Sequence, residues 1–240
     1  MTNKLSIIIP CYNEEGLIGT VLTKVKCSKR ENEIPREIIV VDDGSSDKSF
    51  EVAEKFKKDN PETDIVLLKH TINKGKGASI KTALEYVTGN ITIIQDADLE
   101  YDPSDYYKLL QPILDGYADI VFGSRFRGSE PHRVLFFLHT IGNKILTFIS
   151  NLFTQLNLTD METGYKMFKT DLLKSIRLKE NRFGFEAEVT AKASRIHKVR
   201  IYEVGICYYG RGYDEGKKIK WHDGVRAIYC IIKYNIFSRK

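Results

Sequence analysis

The chain has 240 residues and is 42% hydrophobic and 29% charged, a composition typical of a globular protein with one large α/β domain or two small ones. Its net charge of +5 is compatible with nucleic acid, an anionic membrane or a phosphorylated substrate and selects none of them. The four cysteines lack metal-ligand spacing, and no apolar run approaches the roughly 20 residues that cross a bilayer, so cysteine metal sites and membrane-spanning helices are excluded.

The cysteines and the N-terminus also indicate where the protein works. Scattered cysteines are typical core residues of a reduced, cytoplasmic protein. Residues 1–4 lead directly into a short apolar strand, so we expect no signal peptide.

Apolar runs alternate with amphipathic stretches in the first half of the chain. The predicted strands are residues 5–10, 37–41, 65–68, 91–95 and 119–125. Amphipathic helices separate these strands, and we expect Asn13 to cap the first helix. Continuous apolar strands that alternate with helices predict a mostly parallel sheet covered on both faces.

In sheets of this kind, ligands bind beyond the carboxyl ends of the strands. Polar residues cluster at those predicted ends, in segments 10–15, 42–47, 96–100 and 123–125. No Gly-X-Gly-X-X-Gly follows the first strand and no Gly-Lys-Ser/Thr loop is present. The sequence therefore does not support a dehydrogenase-type dinucleotide site, and it excludes a P-loop.

Two carboxylates follow the fourth predicted strand, Asp96 and Asp98, with one residue between them. In extended chain both side chains can turn to the same side, and at 4 Å they repel by about 4 kcal/mol at an effective dielectric near 20. A Mg²⁺ or Mn²⁺ ion that takes both carboxylates and adds phosphate oxygens relieves this repulsion. The alternative is a solvated acidic loop that caps the next helix, and the Asp-X-Asp pattern alone favours that alternative.

The second half begins with a long apolar stretch, residues 134–158, which Gly142-Asn143 interrupts. We expect two helices or one bent helix there. The stretch either packs under the sheet or lies at a membrane surface, and the sequence leaves both open. A loop entering a short strand at 159–168, a helix near 186–194 and a strand at 199–204 follow.

The C-terminal segment is basic and then amphipathic. Lys217, Lys218 and Lys220 precede a predicted helix at residues 224–237. Basic residues beside an apolar helix suggest attachment to an anionic membrane surface, and a solvated basic loop plus a core helix is the alternative.

Four motifs of the first half together resemble one enzyme family. They are Pro10-Cys11-Tyr12-Asn13-Glu14, Val41-Asp42-Asp43-Gly44-Ser45-Ser46-Asp47, Asn73-Lys74-Gly75-Lys76-Gly77 and Asp96-Ala97-Asp98. In this order and spacing they resemble the family 2 inverting glycosyltransferases, which have the GT-A nucleotide-diphospho-sugar transferase fold. The resemblance implies a mostly parallel central sheet covered by helices, with C-terminal amphipathic helices.

The second half resembles one branch of that family, the dolichyl-phosphate mannose synthases and bacterial polyprenyl-phosphate sugar transferases. The matching pieces are Gly123-Ser124-Arg125, Asp160 with Gly164-Tyr165-Lys166, and Phe183-Gly184-Phe185-Glu186. Thr163 and Tyr165 stand where this branch usually has Ser and Phe, and both changes keep the chemical character.

The resemblance assigns donor-side roles to eight residues. The predicted nucleotide-sugar ligands are Pro10, Tyr12, Asn13, Glu14, Asp43, Lys76, Asp96 and Asp98. Asp98, with Asp96, is expected to ligate Mg²⁺ or Mn²⁺, which stabilises the departing nucleoside diphosphate. Asp42 is expected to orient its turn.

The acceptor side needs cations rather than a base if the acceptor is a phosphate monoester, because that group is already an anion near neutral pH. The candidate cations are Arg125, Lys144, Lys166 and Arg211. A hydroxyl acceptor would instead need a general base, for which Glu186 and Asp160 are the candidates. The predicted catalytic set is therefore Asp98, Arg125, Glu186 and Asp160.

The predicted organisation is a nucleotide-sugar-binding half at residues 1–128, an acceptor-binding half of the same domain at 129–216, and a membrane-proximal helix at 217–240. The leading hypothesis is metal-dependent transfer of a hexose from a GDP- or UDP-sugar to a polyprenyl phosphate. The enzyme would lie peripherally on the cytoplasmic face of the membrane. Transfer to a sugar hydroxyl and a non-catalytic nucleotide-sugar-binding adaptor are the alternatives. No nucleic-acid-binding motif is present, and an exposed apolar helix would serve a homodimer as readily as a membrane.

Overall fold

A seven-stranded sheet forms the centre of the computed structural model, counted over the residues that it describes: 3–28, 34–128, 133–134, 137–212 and 221–237. The strands are β1 (Leu5–Cys11), β2 (Arg36–Asp42), β3 (Ile65–Lys69), β4 (Ile91–Ile94), β5 (Ile120–Ser124), β6 (Lys166–Lys169) and β7 (Ile201–Gly205). Their order is β3-β2-β1-β4-β6-β5-β7. Only the two pairings of β6 are antiparallel, so the predicted mostly parallel sheet is confirmed.

Helices cover both faces of the sheet. They are α1 (Ile18–Cys27), α2 (Ser49–Asp59), α3 (Lys76–Leu84), α4 (Tyr106–Leu114), α5 (Phe137–Thr154), α6 (Thr170–Ser175), α7 (Phe185–Ala193) and α8 (Trp221–Ile232). Because side chains alternate along a strand, Ile7 and Ile38 pack with α1 and α4, whereas Ile8 and Ile39 pack with α3 and α7. Full burial of each such side chain contributes about 1.5–3 kcal/mol, and the all-apolar strands follow from having a core on each face.

The first strand does not end at Pro10, as the sequence predicted, but continues to Cys11. The backbone N–H and C=O groups of the even-numbered residues of β1 point toward β4, since the N–H of Gln95 donates to the carbonyl of Ile8. β4 ends at Ile94, so the missing N–H of Pro10 leaves no bond of the ladder unmade.

The second half of the chain completes the same sheet. β6 inserts between β4 and β5, and β7 pairs in parallel with the far side of β5.

The assignment of donor and acceptor binding to the two predicted halves stays a prediction. Lys217, Lys218 and Lys220 lie outside the described residues.

Helix α5 runs without a break through Gly142, so one helix replaces the two that the sequence left open. A helical glycine costs only about 1 kcal/mol relative to alanine, which is too little to end a helix of 18 residues. No helix in the described ranges combines the length and apolar character needed to cross a membrane.

The apolar face of α5 points outwards. The buried positions of this helix are Thr147 and Ser150, whereas Phe137, Leu138, Phe148 and Leu152 are between 60% and 77% exposed. Ile141 and Ile145, also exposed, continue the same stripe at helical spacing. This arrangement contradicts the interpretation of the whole stretch as core, because its largest apolar side chains lie outside the core.

A polar network closes the end of the sheet opposite the predicted site. The carboxylate of Glu37 accepts hydrogen bonds from Lys4 Nζ at 2.8 Å, Thr88 Oγ1 at 2.6 Å and the N–H of Gly89 at 3.1 Å, and also from Ser6. Burial raises the pKa of Glu37, but the hydrogen bonds from Lys4, Ser6 and Thr88 outweigh it and lower the pKa to about 2.

We expect Glu37→Gln to lower the free energy of unfolding at pH 7 by on the order of 3 kcal/mol, the equivalent of the pKa shift. Because the folded pKa lies below the unfolded value of 4.5, this stabilisation is present above pH 4.5 and is lost as the pH falls toward 2. Urea unfolding of both proteins at pH 7 and pH 3 measures it. The exposed pair of Glu62 with Lys26 supplies the control, since Glu62→Gln should change stability little at either pH. An equal loss at pH 3 and pH 7 for Glu37→Gln would contradict the assignment.

Candidate active site

The predicted donor residues meet at one edge of the sheet, beyond the carboxyl ends of three neighbouring strands. Tyr12, Asn13 and Glu14 follow β1, Asp43 follows β2, and Asp96 follows β4. Parallel neighbours end at the same edge, so distant sequence motifs are brought together.

The loops after β1 and β2 are tied to each other. The Oδ1 atom of Asn13 accepts from the N–H of Ser46 at 2.9 Å, and the N–H of Glu14 donates to Ser49 Oγ at 2.7 Å. Asn13 has φ 49°, and α1 begins only at Ile18. The prediction that Asn13 caps the first helix is therefore wrong, because its side chain serves the neighbouring loop.

Asp42 fixes its own turn, as predicted, by accepting from the N–H of Ser45 at 3.2 Å through Oδ2. Its Oδ1 atom is buried and has no hydrogen-bond partner among the described residues. A buried acceptor left unpaired costs about 1–3 kcal/mol, so this oxygen suits a ligand N–H in the donor site. Tyr12, about two-fifths exposed, lies in the neighbouring loop after β1.

Asp43 is buried and holds the loop that precedes α3. Its carboxylate accepts from the N–H of Lys74 at 2.9 Å, the N–H of Gly75 at 2.6 Å and His70 Nδ1 at 2.7 Å. The predicted contact of Asp43 with a base or ribose stays a prediction, and the observed contacts position Lys76. His70 had no predicted role, although its place directly after the third strand was a signal.

Lys76, the first residue of α3, joins donor-side and acceptor-side candidates. Its Nζ lies 2.7 Å from Asp96 Oδ1 and 2.9 Å from Glu186 Oε1. Burial disfavours the ammonium charge, but Asp96 and Glu186 more than offset this effect, so the pKa of Lys76 lies above its ordinary value. Glu186, a predicted base, is thus already paired with a cation.

Asp98 lies in a second cluster, around Arg211. Arg211 Nη2 is 3.2 Å from Asp98 Oδ2, Nη1 is 3.7 Å from Glu14 Oε2, and Nε is 3.7 Å from Glu100 Oε1. Burial, followed by the charges of Asp96 and Glu100, raises the pKa of Asp98 to about 7. The acidic side chains of this cluster therefore carry more negative charge than Arg211 neutralises.

These carboxylates fit a hard divalent cation that is shared with a phosphate. No group of three or more His, Cys, Asp or Glu side chains within the described part of the chain is arranged to hold a metal ion by itself. Mg²⁺ and related ions are usually held by one or two carboxylates plus substrate phosphates, and Asp98 and Asp96 supply that number. The raised pKa of Asp98 indicates that a cation would stabilise its ionised form.

Arg125 and Asp160 form a forked ion pair at the end of β5. Arg125 Nε and Nη2 lie 2.6 and 2.7 Å from the two carboxylate oxygens of Asp160, and the N–H of Arg125 donates to the same group at 3.1 Å. The guanidinium also lies 5.1 Å from the centre of the Tyr208 ring. The structure thus joins the predicted acceptor cation to the second predicted base.

Lys166 lies inside the protein near the charges of Glu186 and Asp160, whereas Lys144 lies on the surface of α5. Lys166 has no exposed surface, its Nζ donates to the carbonyls of Met161 and Thr163, and burial lowers its pKa to about 8. These bonds support the loop before β6, and the predicted role of Lys166 as an acceptor-phosphate ligand stays a prediction. Lys144 is exposed on α5, beside the apolar stripe, and makes no hydrogen bond or ion pair within the described ranges.

The loop before β6 approaches the donor carboxylates closely. A Cβ atom on Gly164 would lie 2.3 Å from Asp96 Oδ2, which explains the glycine of this motif. Glu162 in the same loop was not among the predicted site residues, and its Oε1 atom is buried without a hydrogen-bond partner in the described structure. Burial and then the charge of Glu186 raise the pKa of Glu162 to about 7.

The chain belongs to the family 2 glycosyltransferases, since residues 6–177 match the family described as "Glycosyl transferase family 2". It is 30% identical over 224 residues to the UDP-N-acetylglucosamine–dolichyl-phosphate N-acetylglucosaminyltransferase of Methanococcus voltae, covering 86% of each chain. It is 28% identical to the dolichyl-phosphate β-glucosyltransferase ALG5A of Trichomonas vaginalis, covering 98% of this chain and 74% of the relative. The predicted family and its similarity to the dolichyl-phosphate branch are confirmed.

The fold is also that of a solved glycosyltransferase. Glucosyl-3-phosphoglycerate synthase of Mycobacterium tuberculosis, crystallised with Mn²⁺, UDP and phosphoglyceric acid, superposes with a TM-score of 0.74. The alignment covers 98% of this chain and 79% of that one at 18% identity. The predicted α/β GT-A fold and the prediction of a glycosyltransferase are confirmed.

Proposed function

We propose that this glycosyltransferase moves a hexose from a nucleotide diphosphate-sugar to a polyprenyl phosphate. The enzyme would lie on the cytoplasmic face of a membrane and use Mg²⁺ or Mn²⁺. Relatives that act on dolichyl phosphate support the acceptor, and a structural neighbour that holds Mn²⁺ and UDP supports the donor and the metal.

One observation carries the choice of acceptor. Both predicted bases are engaged by cations, Glu186 by Lys76 and Asp160 by the fork of Arg125. A carboxylate whose oxygens are held by a cation is poorly placed to take a proton from a hydroxyl acceptor. A phosphate acceptor needs no base, since one of its oxygens is already an anion that can attack the anomeric carbon.

In this mechanism the bond from the anomeric carbon to the diphosphate breaks as the bond to the acceptor phosphate forms on the opposite face. Asp98 and Asp96 would hold the divalent cation, which supplies charge stabilisation for the departing nucleoside diphosphate. Lys76 adds positive charge beside them, and Arg125, held in place by Asp160, presents a guanidinium beside the acceptor site.

The outward apolar face of α5 supports the membrane location. Six exposed apolar side chains, Phe137, Leu138, Ile141, Ile145, Phe148 and Leu152, follow one face of the helix, and Lys144 borders it. An apolar stripe edged by a cation suits the boundary between acyl chains and anionic headgroups. A bilayer is the occupant we assign to this face, because the proposed acceptor is itself a lipid.

Glu162 favours a second candidate function, transfer to a sugar hydroxyl. Its unpartnered oxygen and a pKa near neutrality are properties of a general base. Glu162→Gln separates the two functions, because it removes a base that only a hydroxyl acceptor needs.

The test is transfer of labelled hexose from GDP- and UDP-sugars to undecaprenyl phosphate in vesicles of phosphatidylcholine and phosphatidylglycerol, with and without Mn²⁺. We expect label in the organic phase only when both the metal and the lipid phosphate are present. Glu162→Gln should reduce this transfer less than tenfold. Label that reaches only glycan-lipid acceptors, and is lost in Glu162→Gln, would instead establish the hydroxyl acceptor.

The membrane face is tested in the same vesicles with the double variant Ile145→Ser, Phe148→Ser. We expect loss of co-sedimentation and at least a tenfold loss of transfer to the embedded lipid, with donor binding retained, because about 2–3 kcal/mol of apolar contact per side chain is removed. Tyr117→Ser, at another exposed apolar residue, serves as control. If the double variant instead dissociates a dimer and leaves transfer unchanged, this face of α5 binds a second copy of the chain and not a membrane.

A further inference from the structure

Arg211 is held loosely by the carboxylates that surround it. Among the side chains of the described residues, only Asp98, at 3.2 Å, is within hydrogen-bond distance of its guanidinium, while Glu14 and Glu100 lie 3.7 Å away. The Nε atom of Arg211 is buried and has no hydrogen-bond partner in the described structure. The guanidinium fork is therefore not matched to any one carboxylate.

Arg125 provides a comparison within the same chain, because its guanidinium is well hydrogen-bonded. Its fork meets both oxygens of Asp160 at 2.6 and 2.7 Å. Arg211 instead spreads its three nitrogens over three acidic side chains. The contrast indicates that the side chain of Arg211 can leave its position at lower cost than that of Arg125, because fewer good hydrogen bonds are lost.

The cluster holds more negative charge than one arginine can neutralise. Glu14, Asp98 and Glu100, when ionised, carry three negative charges against one on Arg211. A divalent cation supplies the missing charge and prefers carboxylate oxygens.

The backbone around Arg211 is anchored independently of its side chain. The N–H of Arg211 donates to Glu100 Oε1 at 2.9 Å, and the N–H of Tyr209 donates to the carbonyl of Glu100 at 2.8 Å. Rotation of the side chain alone would therefore free Asp98 without displacing the backbone of residues 209–211.

We propose that Arg211 is the resident counter-ion of this carboxylate cluster and competes with the divalent cation for Asp98. In the metal-free chain its guanidinium neutralises part of the cluster. When the cation binds, the guanidinium is released and becomes available to a phosphate oxygen. The inference rests on the proposed function in one respect, that Asp98 is a ligand of the metal.

The test is Mn²⁺ binding to the full chain without nucleotide, measured by electron paramagnetic resonance of free Mn²⁺. We expect Arg211→Gln to bind Mn²⁺ about tenfold more tightly than the wild type, since a like charge next to the site has been removed. Arg226→Gln, which removes the same charge from a distant pair with Glu180, should leave the affinity unchanged. Unchanged or weaker binding in Arg211→Gln would overturn the proposal.

Two further variants keep the result interpretable. Arg211→Lys retains the charge and should bind Mn²⁺ close to wild type, and Arg211→Met replaces Arg211→Gln if that variant does not fold. Asp98→Asn tests the underlying metal site. If Asp98→Asn binds Mn²⁺ as the wild type does, the metal assignment fails. If Asp98→Asn loses Mn²⁺ while Arg211→Gln changes nothing, only the competition fails.

Discussion

Asp98→Asn is expected to reduce sugar transfer by about 10³-fold or more while the protein stays folded. The carboxylate is the proposed ligand of a cation that stabilises the leaving diphosphate, and an amide lacks the charge to hold it. The fold does not depend on this charge, because burial and the neighbouring Asp96 and Glu100 oppose its ionisation. Transfer assays at saturating Mn²⁺ and thermal melting of both proteins measure the two effects.

Asp102→Asn is the matched control for this prediction. Asp102 lies four residues further along the same segment, where its side chain accepts from the N–H of Ser104 at the turn before α4. We expect it to lose less than threefold in activity. Retention of a tenth or more of wild-type transfer in Asp98→Asn would contradict the metal-site assignment.

Local sequence pattern identified the first strands because each has a run of adjacent apolar residues at its centre. Strands β1, β2 and β4 carry isoleucine and valine on both faces, and only a sheet with helices on each side buries such strands. The insertion of antiparallel β6 between β4 and β5 has no such signal. It depends on which strand edges remain unpaired, and that is a property of the assembled sheet.

The contacts of a polar side chain that has two possible partners could not be predicted from the sequence. Asparagine often caps helices, but the side chain of Asn13 instead accepts from the N–H of Ser46, which comes within its reach only when β1 and β2 pair. Lys166 carries the charge of a phosphate ligand, but the chain before β6 curls around it and supplies carbonyl acceptors. A sequence motif reports the residue type, whereas the direction of the side chain depends on contacts between distant segments.

The same reasoning explains why the ion pairs could not be predicted. Arg125, Asp160 and Glu186 were each recognised as chemically suited to the acceptor site, but nothing in the sequence pairs Arg125 with Asp160 or Glu186 with Lys76. These pairings bear on whether Glu186 and Asp160 serve as bases or as positioned carboxylates. They therefore change the chemistry expected of the same residues.

Arg125→Lys should raise the KM for polyprenyl phosphate and lower transfer by about 10²-fold or more, because a lysine keeps the charge but cannot form the fork. The lost hydrogen bonds leave Asp160 buried with fewer partners, which also costs stability, on the order of 2 kcal/mol. Binding of the nucleotide-sugar should change little, since Lys76, Asp96 and Asp98 are untouched. Steady-state kinetics with varied lipid phosphate, together with donor binding by calorimetry, separates these effects.

The chain contains a matched control at the opposite end of β5. Arg200 forms a similar fork with Asp119, with Nε and Nη2 at 3.0 and 2.8 Å from the two carboxylate oxygens. Arg200→Lys makes the same chemical change in a pair far along the strand from the site and should leave kcat and KM within about twofold of wild type, as expected for an exposed pair. If Arg125→Lys lowers stability and donor binding together while the KM for the lipid phosphate stays constant, Arg125 supports the fold and does not bind the acceptor. The acceptor phosphate would then depend on Arg211, whose guanidinium is the other predicted cation that the structure places beside the donor carboxylates.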